Sequence, residues 1–210
     1  FAEHFLAPRL QRFLADYPRF RVRISSSPWT AFAEESNADV EICNGYGDWS
    51  DRQVERLTSE HWLTVCSPAT LERRGWPGSA QALMSWPLYS VLGYREGWNE
   101  WLTQQQSHGL APAPGLEFDT TTLAMQAVRY GDGVLLTRSF LVSDALQRGE
   151  LVQPHPGILP TRGGHYLVCQ RGDQRPKVTA FCDWLRRELR GHQAGLRLPT
   201  PGLGSVAVSS

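Results

Sequence analysis

The sequence predicts an α/β fold with two lobes, and three observations support this prediction. Segments with the apolar spacing of a helix alternate along the chain with segments that have the two-residue period of a strand. The last predicted strand and helix are separated from the first 65 residues by a complete set of α/β elements. A chain of 210 residues is also long enough to bury two small cores. We therefore expect the chain to build most of one lobe, to cross into a second lobe, and to return to the first.

The first predicted lobe opens with a helix, which Pro18 ends because proline cannot donate the next backbone hydrogen bond. The apolar stripe of this helix consists of Leu6, Leu10, Phe13, Leu14 and Tyr17. A short helix is expected at residues 30–35, and a turn with two glycines at residues 44–48. Alternating polar and apolar residues predict strands at residues 21–25, 39–43, 53–57 and 62–66.

The second predicted lobe contains the clearest helix. Threonines after Asp119 can cap its first turn, and Gly131 follows its last turn. In another helix, Trp98 and Trp101 share one face, and this spacing favours core packing over a ligand platform. The predicted helices of this lobe span residues 67–74, 79–86, 96–106, 123–130 and 139–148. Its predicted strands span residues 88–92, 116–118, 133–137 and 151–152.

The end of the chain predicts a return to the first lobe, followed by a tail. A strand at residues 165–170 leads into a helix at residues 176–190, with proline in its first turn. Residues 191–210 contain no acidic residue and are rich in Gly, Pro and Ser, so we expect them to be disordered.

Composition and charge exclude several classes of function. The 21 basic and 21 acidic residues cancel, which argues against nucleic-acid binding by this segment. There is neither a membrane-spanning apolar run nor a signal-peptide pattern. The four cysteines show no C-x-x-C spacing, so we expect reduced thiols, no metal site and no cofactor. His61 and Cys66 fall on opposite strand faces without a third group to orient a base, so we expect no enzyme.

Eight stretches of the chain, in their order and spacing over residues 1–190, form a recognisable set. They are FAEHFLAPRLQRFLADYPRFRVRI, ADVEICNGYGDW, LTVCSPATL, WNEWL, FDTTTLAMQAVRYGDGVLL, LVSDALQRGELVQP, HYLV and VTAFCDWLRREL. This ordered set resembles the effector-binding domain of LysR-type transcriptional regulators. The nearest branch of that family is the one that includes the regulators of glycine cleavage and of β-lactamase.

The resemblance implies a periplasmic-binding-protein-like fold, in which two Rossmann-like lobes enclose a ligand crevice. Lobe I would comprise residues 1–65 and 167–190, and lobe II residues 66–166. The implied partners are a small-molecule effector and further copies of the chain, in a dimer or tetramer. Relatives dimerise antiparallel through the first helix, the edge near Val22 and the lobe II helices. DNA would be contacted only through a winged helix–turn–helix domain that precedes this segment, and no membrane partner is implied.

Two departures from the family pattern are visible. The family begins with a strand that ends in a ligand-contacting Ser or Thr, whereas this chain starts at the helix that follows. Relatives also read I-R-Y-G where this chain reads Ile42-Cys43-Asn44-Gly45. The missing arginine argues against an anionic ligand at this edge of the crevice.

Candidate ligand-binding residues follow from helix and strand ends. Thr120 and Thr121 begin the helix that ends at Gly131, where unpaired N–H groups suit a carboxylate or a carbonyl, although either threonine could simply cap the helix. The other candidates are Tyr166 on the returning strand, Asn44 and Tyr46 in the glycine turn, and Ser26 and Ser67 after strand ends. Tyr166 could equally be a core residue, and turn chemistry alone would explain Asn44.

The favoured function is effector sensing and dimerisation in a cytoplasmic LysR-type regulator. The alternative of the same fold is a solute-binding protein that serves a transporter. A two-lobed enzyme is a third possibility, and the lack of an acid/base constellation argues against it.

Overall fold

The computed structural model describes residues 1–26, 38–50, 52–112 and 115–195. The chain begins with two short helical turns, Ala2–Leu6 and Ala7–Arg9, which lead into helix α1, Leu10–Asp16. The other helices are α2 Pro68–Arg74, α3 Ala80–Leu83, α4 Trp98–Gln104, α5 Thr121–Tyr130, α6 Ser139–Gln147 and α7 Pro176–Gly195. The strands are β1 Glu41–Gly45, β2 Gln53–Arg56, β3 His61–Val65, β4 Leu88–Val91, β5 Leu116–Phe118, β6 Val134–Arg138, β7 Leu159–Pro160 and β8 Gly164–Cys169.

The smaller sheet has three strands in the order β1–β8–β2, and both pairs are antiparallel. Its central strand, β8, comes from the end of the chain and pairs Tyr166 with Cys43 and with Arg56. The end of the chain therefore returns to the sheet that contains β1 and β2. Because β1 pairs antiparallel with β8, the predicted glycine turn that carries Asn44 and Tyr46 lies at the end of an antiparallel strand.

The larger sheet has five strands in the order β5–β4–β6–β3–β7. Strand β4 pairs parallel with β5 and with β6, whereas β3 pairs antiparallel with β6 and β7. Parallel neighbours need a crossover connection, and helices α4 and α5 lie in the segments that connect them. The mixed α/β architecture confirms the predicted fold class.

The sheet pairing shifts the expected lobe boundaries. Strand β3 was expected in lobe I, but it pairs with β6 in the larger sheet. Strand β8 begins at Gly164, so residues 164–166 belong to the smaller sheet rather than to lobe II. The alternation of polar and apolar residues within a strand shows which residues face the core, but it does not show which sheet the strand joins. We use lobe I below for the smaller sheet with α1 and α7, and lobe II for the larger sheet with α2–α6.

Each lobe has an apolar core, and the core of lobe I also takes in Phe140 and Leu141 of α6. The lobe I core joins α1, α7 and one face of the smaller sheet, and contains Phe5, Phe13, Leu57, Leu167, Trp184, Leu185 and Leu189. Lobe II is packed on both faces of its sheet, with Trp62, Trp98, Trp101 and Leu136 on one face and Leu63, Met125, Val128 and Leu135 on the other. Trp98 and Trp101 are buried core residues, as their spacing predicts.

Three local predictions differ from the structure. Residues 21–25 are exposed and form no strand, because their alternating pattern lacks a neighbouring strand among the described residues to accept its hydrogen bonds. Residues 151–152 contribute a single bridge, between Val152 and Cys66. Helix α7 continues to Gly195, so the first five residues of the expected disordered tail are helical. The predicted helix at 30–35 and residues 196–210 lie outside the described residues.

Within the described ranges, no helix is both long enough and apolar enough to cross a membrane.

Candidate functional site

The two lobes meet at the hydroxyl group of Tyr94, which lies just after β4. The amide Nδ2 of Asn44, at the end of β1, donates a hydrogen bond to Tyr94 Oη at 3.0 Å. The side chain of Thr121, at the start of α5, also hydrogen-bonds Tyr94. Burial raises the pKa of Tyr94, so the phenol stays protonated near neutral pH. One hydroxyl group therefore links lobe I to the first turn of a lobe II helix.

The next two residues tie the same segment to the turn after β1. The guanidinium of Arg95 lies 4.2 Å from the ring centroid of Tyr46. The hydroxyl of Tyr46 donates to Glu96 Oε2 at 2.6 Å, and Thr161 donates to the other carboxylate oxygen of Glu96. Asn44, Tyr46, Tyr94, Glu96 and Thr121 thus form one polar contact region between the lobes, which we call the interlobe site.

Arg138 lies beside the interlobe site, at the carboxyl end of β6. Its side chain is 1% exposed, and its guanidinium lies against the rings of both Trp62 and Tyr94, 5.3 and 5.0 Å from their centroids. Its Nη1 donates to Glu60 Oε2 at 3.4 Å. Its Nε and Nη2 have no hydrogen-bond partner. Such buried unpaired donors are uncommon in folded proteins.

Glu60 carries the charge that balances Arg138. Burial opposes the ionisation of Glu60, but the hydrogen bond from His165, the charge of Arg138 and the Thr58 hydroxyl together lower its pKa to about 2. The ring Nδ1 of His165 lies 2.8 Å from Glu60 Oε1. Burial lowers the pKa of His165, so the neutral ring donates this hydrogen bond near neutral pH. The ion pair joins β6 of lobe II to the segment between β2 and β3.

The two predicted threonines have different roles. Thr120 is the N-cap of α5, and its hydroxyl accepts a hydrogen bond from the backbone N–H of Leu123 at 3.3 Å. Thr120 therefore caps the helix, which is one of the two roles considered for it from the sequence. Thr121 is half-buried and its side chain reaches Tyr94, so it belongs to the interlobe site.

Tyr166 lies behind the turn that carries Asn44 and Tyr46. It is buried, its ring contacts Trp49 edge-on at 5.4 Å, and its hydroxyl donates to the carbonyl of Arg162 at 3.4 Å. Gly47 has a φ of +90°, and a Cβ at this position would press against the Tyr166 ring. In this structure Tyr166 supports the turn rather than reaching the hydroxyl of Tyr94.

The two serines lie apart from the interlobe site. Ser67 is buried as the N-cap of α2, where its hydroxyl accepts from the N–H of Thr70 at 3.1 Å. Ser26 is exposed in the segment after α1. The contacts therefore bring together Asn44, Tyr46 and Thr121, but not Ser26 or Ser67.

The sequence reading missed Tyr94, Glu96, Glu60 and Arg138. One signal was available, because Arg138 is a charged residue at the end of the otherwise uncharged strand Val134–Arg138. A charge in this position at the carboxyl end of a buried strand is typical of a ligand site or of a buried ion pair. The partner of Arg138 is 78 residues away along the chain, and local patterns do not reveal such a pairing.

Other chemistry has little support in the described part of the chain. Cys66 is fully buried, and burial raises its pKa to about 12, so it is a protonated thiol rather than a nucleophile. No group of three or more His, Cys, Asp or Glu side chains in the ranges that the structure covers could hold a metal ion.

Comparisons with known proteins identify the family. Residues 1–190 match the family described as LysR substrate binding domain. The glycine cleavage system transcriptional activator of Escherichia coli K12 is 29% identical over 198 residues, which cover 94% of this chain and 65% of that protein. The uncharacterized HTH-type transcriptional regulator y4mQ of Sinorhizobium fredii is 32% identical, over 93% of this chain and 65% of its own length. The chain thus spans slightly less than two thirds of each of these relatives.

Solved structures show the same fold. The effector domain of the transcriptional regulator AmpR of Pseudomonas aeruginosa superposes with a TM-score of 0.77 and 23% identity, over 93% of both chains. The AmpR effector binding domain from Citrobacter freundii gives a TM-score of 0.72 and 25% identity, over 91% of this chain and 94% of that one. These relatives are regulators rather than transporter components, which argues against a solute-binding protein. The chain belongs to the LysR substrate binding domain family and has the fold of a LysR-type effector-binding domain.

Proposed function

We propose that this domain senses a small-molecule effector at the interlobe site and that binding alters DNA recognition by another domain of the full-length regulator. The chain corresponds to 65% of the length of the glycine cleavage activator, so DNA contact is assigned to the remainder. The zero net charge of this segment agrees with that assignment.

The bridge through Tyr94 carries this proposal. Its hydroxyl joins Asn44 of lobe I to Thr121 of lobe II through hydrogen bonds. A ligand with its own donors and acceptors can replace these bonds and change how the lobes are held together. Only a ligand that binds the two lobe arrangements with different affinity can shift their populations. The interlobe site provides the groups for such a difference.

The absence of catalysis is part of the proposal. The buried, protonated Cys66 is unsuited to nucleophilic chemistry, and Glu96 is occupied by hydrogen bonds from Tyr46 and Thr161. The relatives with assigned roles are transcriptional regulators. We accordingly assign the domain a binding role in the cytoplasm, where the regulated DNA is found.

Exposed apolar residues support self-association as the second part of the function. Val22 and Ile24 are exposed in the segment after α1, and Leu123 and Tyr130 are exposed on α5 of lobe II. In an antiparallel dimer, Val22 and Ile24 of one chain would pack against Leu123 and Tyr130 of the other. The two-fold axis would repeat this contact at the other end of the interface. Burial of these side chains would stabilise the dimer.

A thermal-shift screen tests the sensing function. The domain is heated with metabolites from the amino acid, peptide, aromatic acid and sugar classes, because a ligand that binds only the folded state raises the melting temperature. The affinity for each hit is then measured for Thr121→Val, which removes the hydroxyl while keeping the shape of the side chain. We expect affinity to fall about five- to tenfold, as the loss of one hydrogen bond predicts.

The matched control is Thr103→Val, the same change on the exposed side of α4, where the hydroxyl bonds only to the carbonyl of Asn99. This variant should bind as the original chain does. Equal affinities for Thr121→Val and the original chain would refute the assignment of the interlobe site.

A further inference from the structure

The guanidinium of Arg138 has hydrogen-bonding capacity that the protein leaves unused. It is almost completely buried and makes one hydrogen bond, to Glu60, through Nη1. Its Nε and Nη2 have no partner, although an unpaired buried donor is costly. A bound group that accepts hydrogen bonds would remove this cost.

The two unused donors lie along one edge of the guanidinium plane. The N–H groups of Nε and Nη2 are parallel there and match the two oxygens of a carboxylate. This chain uses that edge for carboxylates at three other arginines. The pairs are Arg74 with Asp132, Arg175 with Asp173, and Arg186 with Glu55. The free edge of Arg138 thus has the chemistry of an empty carboxylate position.

The backbone of Gly163 lies close to Nη2, at one end of this edge. A Cβ built at residue 163 would overlap Nη2 and the neighbouring guanidinium atoms of Arg138. Because any other residue would cover Nη2, glycine at this position leaves that donor without a side-chain neighbour.

Tyr94 covers the guanidinium on another side. Its ring centroid is 5.0 Å from the Arg138 guanidinium, and its hydroxyl is held by Asn44 and Thr121. Release of these two hydrogen bonds would let the ring move and open a route to Arg138. The same bonds define the interlobe site, so arrival of an anion at Arg138 and a change in lobe contacts are mechanically linked.

We propose that Arg138 binds a carboxylate group of the effector through its Nε–H and Nη2–H donors, and that the ring of Tyr94 moves aside to admit it. This inference rests on the proposed sensing function and specifies the class of ligand. Since Glu60 balances the charge of Arg138, the selectivity comes from the paired donors and not from a net positive charge.

The test compares carboxylates with the corresponding amides, which lack the carboxylate charge. The probes are glycine with glycinamide, succinate with succinamide, and benzoate with benzamide, each titrated calorimetrically into the domain at constant ionic strength in a chloride-free buffer. We expect at least one carboxylate to bind about tenfold more tightly than its amide, which is the scale of a charge-assisted hydrogen bond. Binding of no carboxylate, or equal binding of acid and amide, would overturn the inference.

Arg138→Lys then separates charge from geometry. Lysine keeps a cation beside Glu60 but lacks two parallel donors, so the preference for the acid should fall to about twofold or less. Arg74→Lys, at a surface pair, is the matched control and should retain the full preference. An unchanged preference in Arg138→Lys would refute the role of the guanidinium.

A second variant tests the carboxylate proposal if Arg138→Lys does not fold. Tyr94→Phe retains the ring over Arg138 but removes the hydroxyl that Asn44 and Thr121 hold. We expect the carboxylate to bind several-fold more tightly to this variant. Unchanged or weaker binding would count against the inference.

The two proposals can fail separately. A neutral metabolite whose binding depends on Thr121 but not on Arg138 would preserve effector sensing and refute the carboxylate. A carboxylate whose binding depends on Arg138 but not on Thr121 would preserve the carboxylate position and refute sensing at the interlobe site.

Discussion

Asn44 donates a hydrogen bond to the hydroxyl of Tyr94 at 3.0 Å, across the boundary between the two lobes. The residues are 50 positions apart in the chain, with Asn44 in β1 of the smaller sheet and Tyr94 in the loop after β4 of the larger sheet. This bond and that of Thr121 meet at one oxygen atom, so the phenol of Tyr94 links Asn44 of lobe I to the first turn of α5.

A double-mutant cycle measures this bond. We expect Asn44→Ala and Tyr94→Phe each to lower the free energy of unfolding, with a coupling energy of about 1 kcal/mol between them. Urea unfolding of the two single variants, the double variant and the original chain provides the four required values. Strictly additive effects would show that the bond does not form in solution.

The buried cluster around Glu60 predicts loss of stability in acid. The folded pKa of Glu60 is lowered to about 2 from an ordinary value of 4.5, so its stabilisation is present above pH 4.5 and is lost as the pH falls toward 2. His165 acts in the same direction from about pH 6.5 downward, because burial lowers its folded pKa and only the unfolded chain takes up the proton readily. The free energy of unfolding, measured by urea titration at each pH, should therefore decrease monotonically below pH 6.5.

Glu60→Gln tests the first part of this pH dependence. The variant should be less stable at pH 7 by about 3 kcal/mol, because Arg138 loses its buried counter-ion. Its stability should also change less than that of the original chain between pH 4.5 and pH 2, since residue 60 no longer titrates there. A pH profile parallel to that of the original chain would contradict the assigned pKa.

Trp101 provides a test of the core of lobe II. Its side chain is fully buried, and its Nε1 donates to the carbonyl of Gly157 at 3.2 Å. We expect Trp101→Ala to cost about 3–5 kcal/mol in thermal or urea unfolding. Trp76 is 71% exposed, so Trp76→Ala should stay within about 0.5 kcal/mol of the original. Similar effects of the two substitutions would contradict the packing described here.

The cysteines should differ in their reactivity. Cys169 is partly exposed, and its hydrogen bond with Cys182 lowers its pKa, whereas burial raises the pKa of Cys43 to about 11 and that of Cys66 to about 12. A chromogenic disulfide reagent should therefore modify Cys169 first in the native domain. Cys169→Ser should remove the fast phase, and Cys66→Ser should leave it intact. A fast phase that depends on Cys66 would reopen the question of nucleophilic chemistry.

The exposed apolar residues predict a change in oligomeric state. The side chain of Tyr130 is 89% exposed in the single chain, as expected for a residue that a second copy covers. Tyr130→Glu should shift the domain toward monomer in sedimentation or light-scattering measurements, while its circular dichroism stays unchanged. Trp76→Glu, at an exposed position outside the proposed interface, should leave the oligomeric state as it is.

Local patterns were sufficient for most of the helices and strands and for their core faces, and the ordered set of stretches was sufficient for the family. Thr120 and Gly131 delimit helix α5 as predicted, because caps and stops depend on neighbouring residues along the chain. The tryptophan face of α4 followed from helical spacing for the same reason.

Only the folded chain could show which of these parts touch. Three contacts join residues that are far apart in the chain. Asn44 contacts Tyr94 50 positions away, Glu60 pairs with Arg138 78 positions away, and β3 pairs with β6 in the larger sheet. Residues 21–25 carry the pattern of a strand and yet form none, since a strand also needs a partner. The periodicity of a segment shows which of its residues face the core and which face solvent. The interlobe site depends on contacts between distant segments, and the packing of the whole chain determines those contacts.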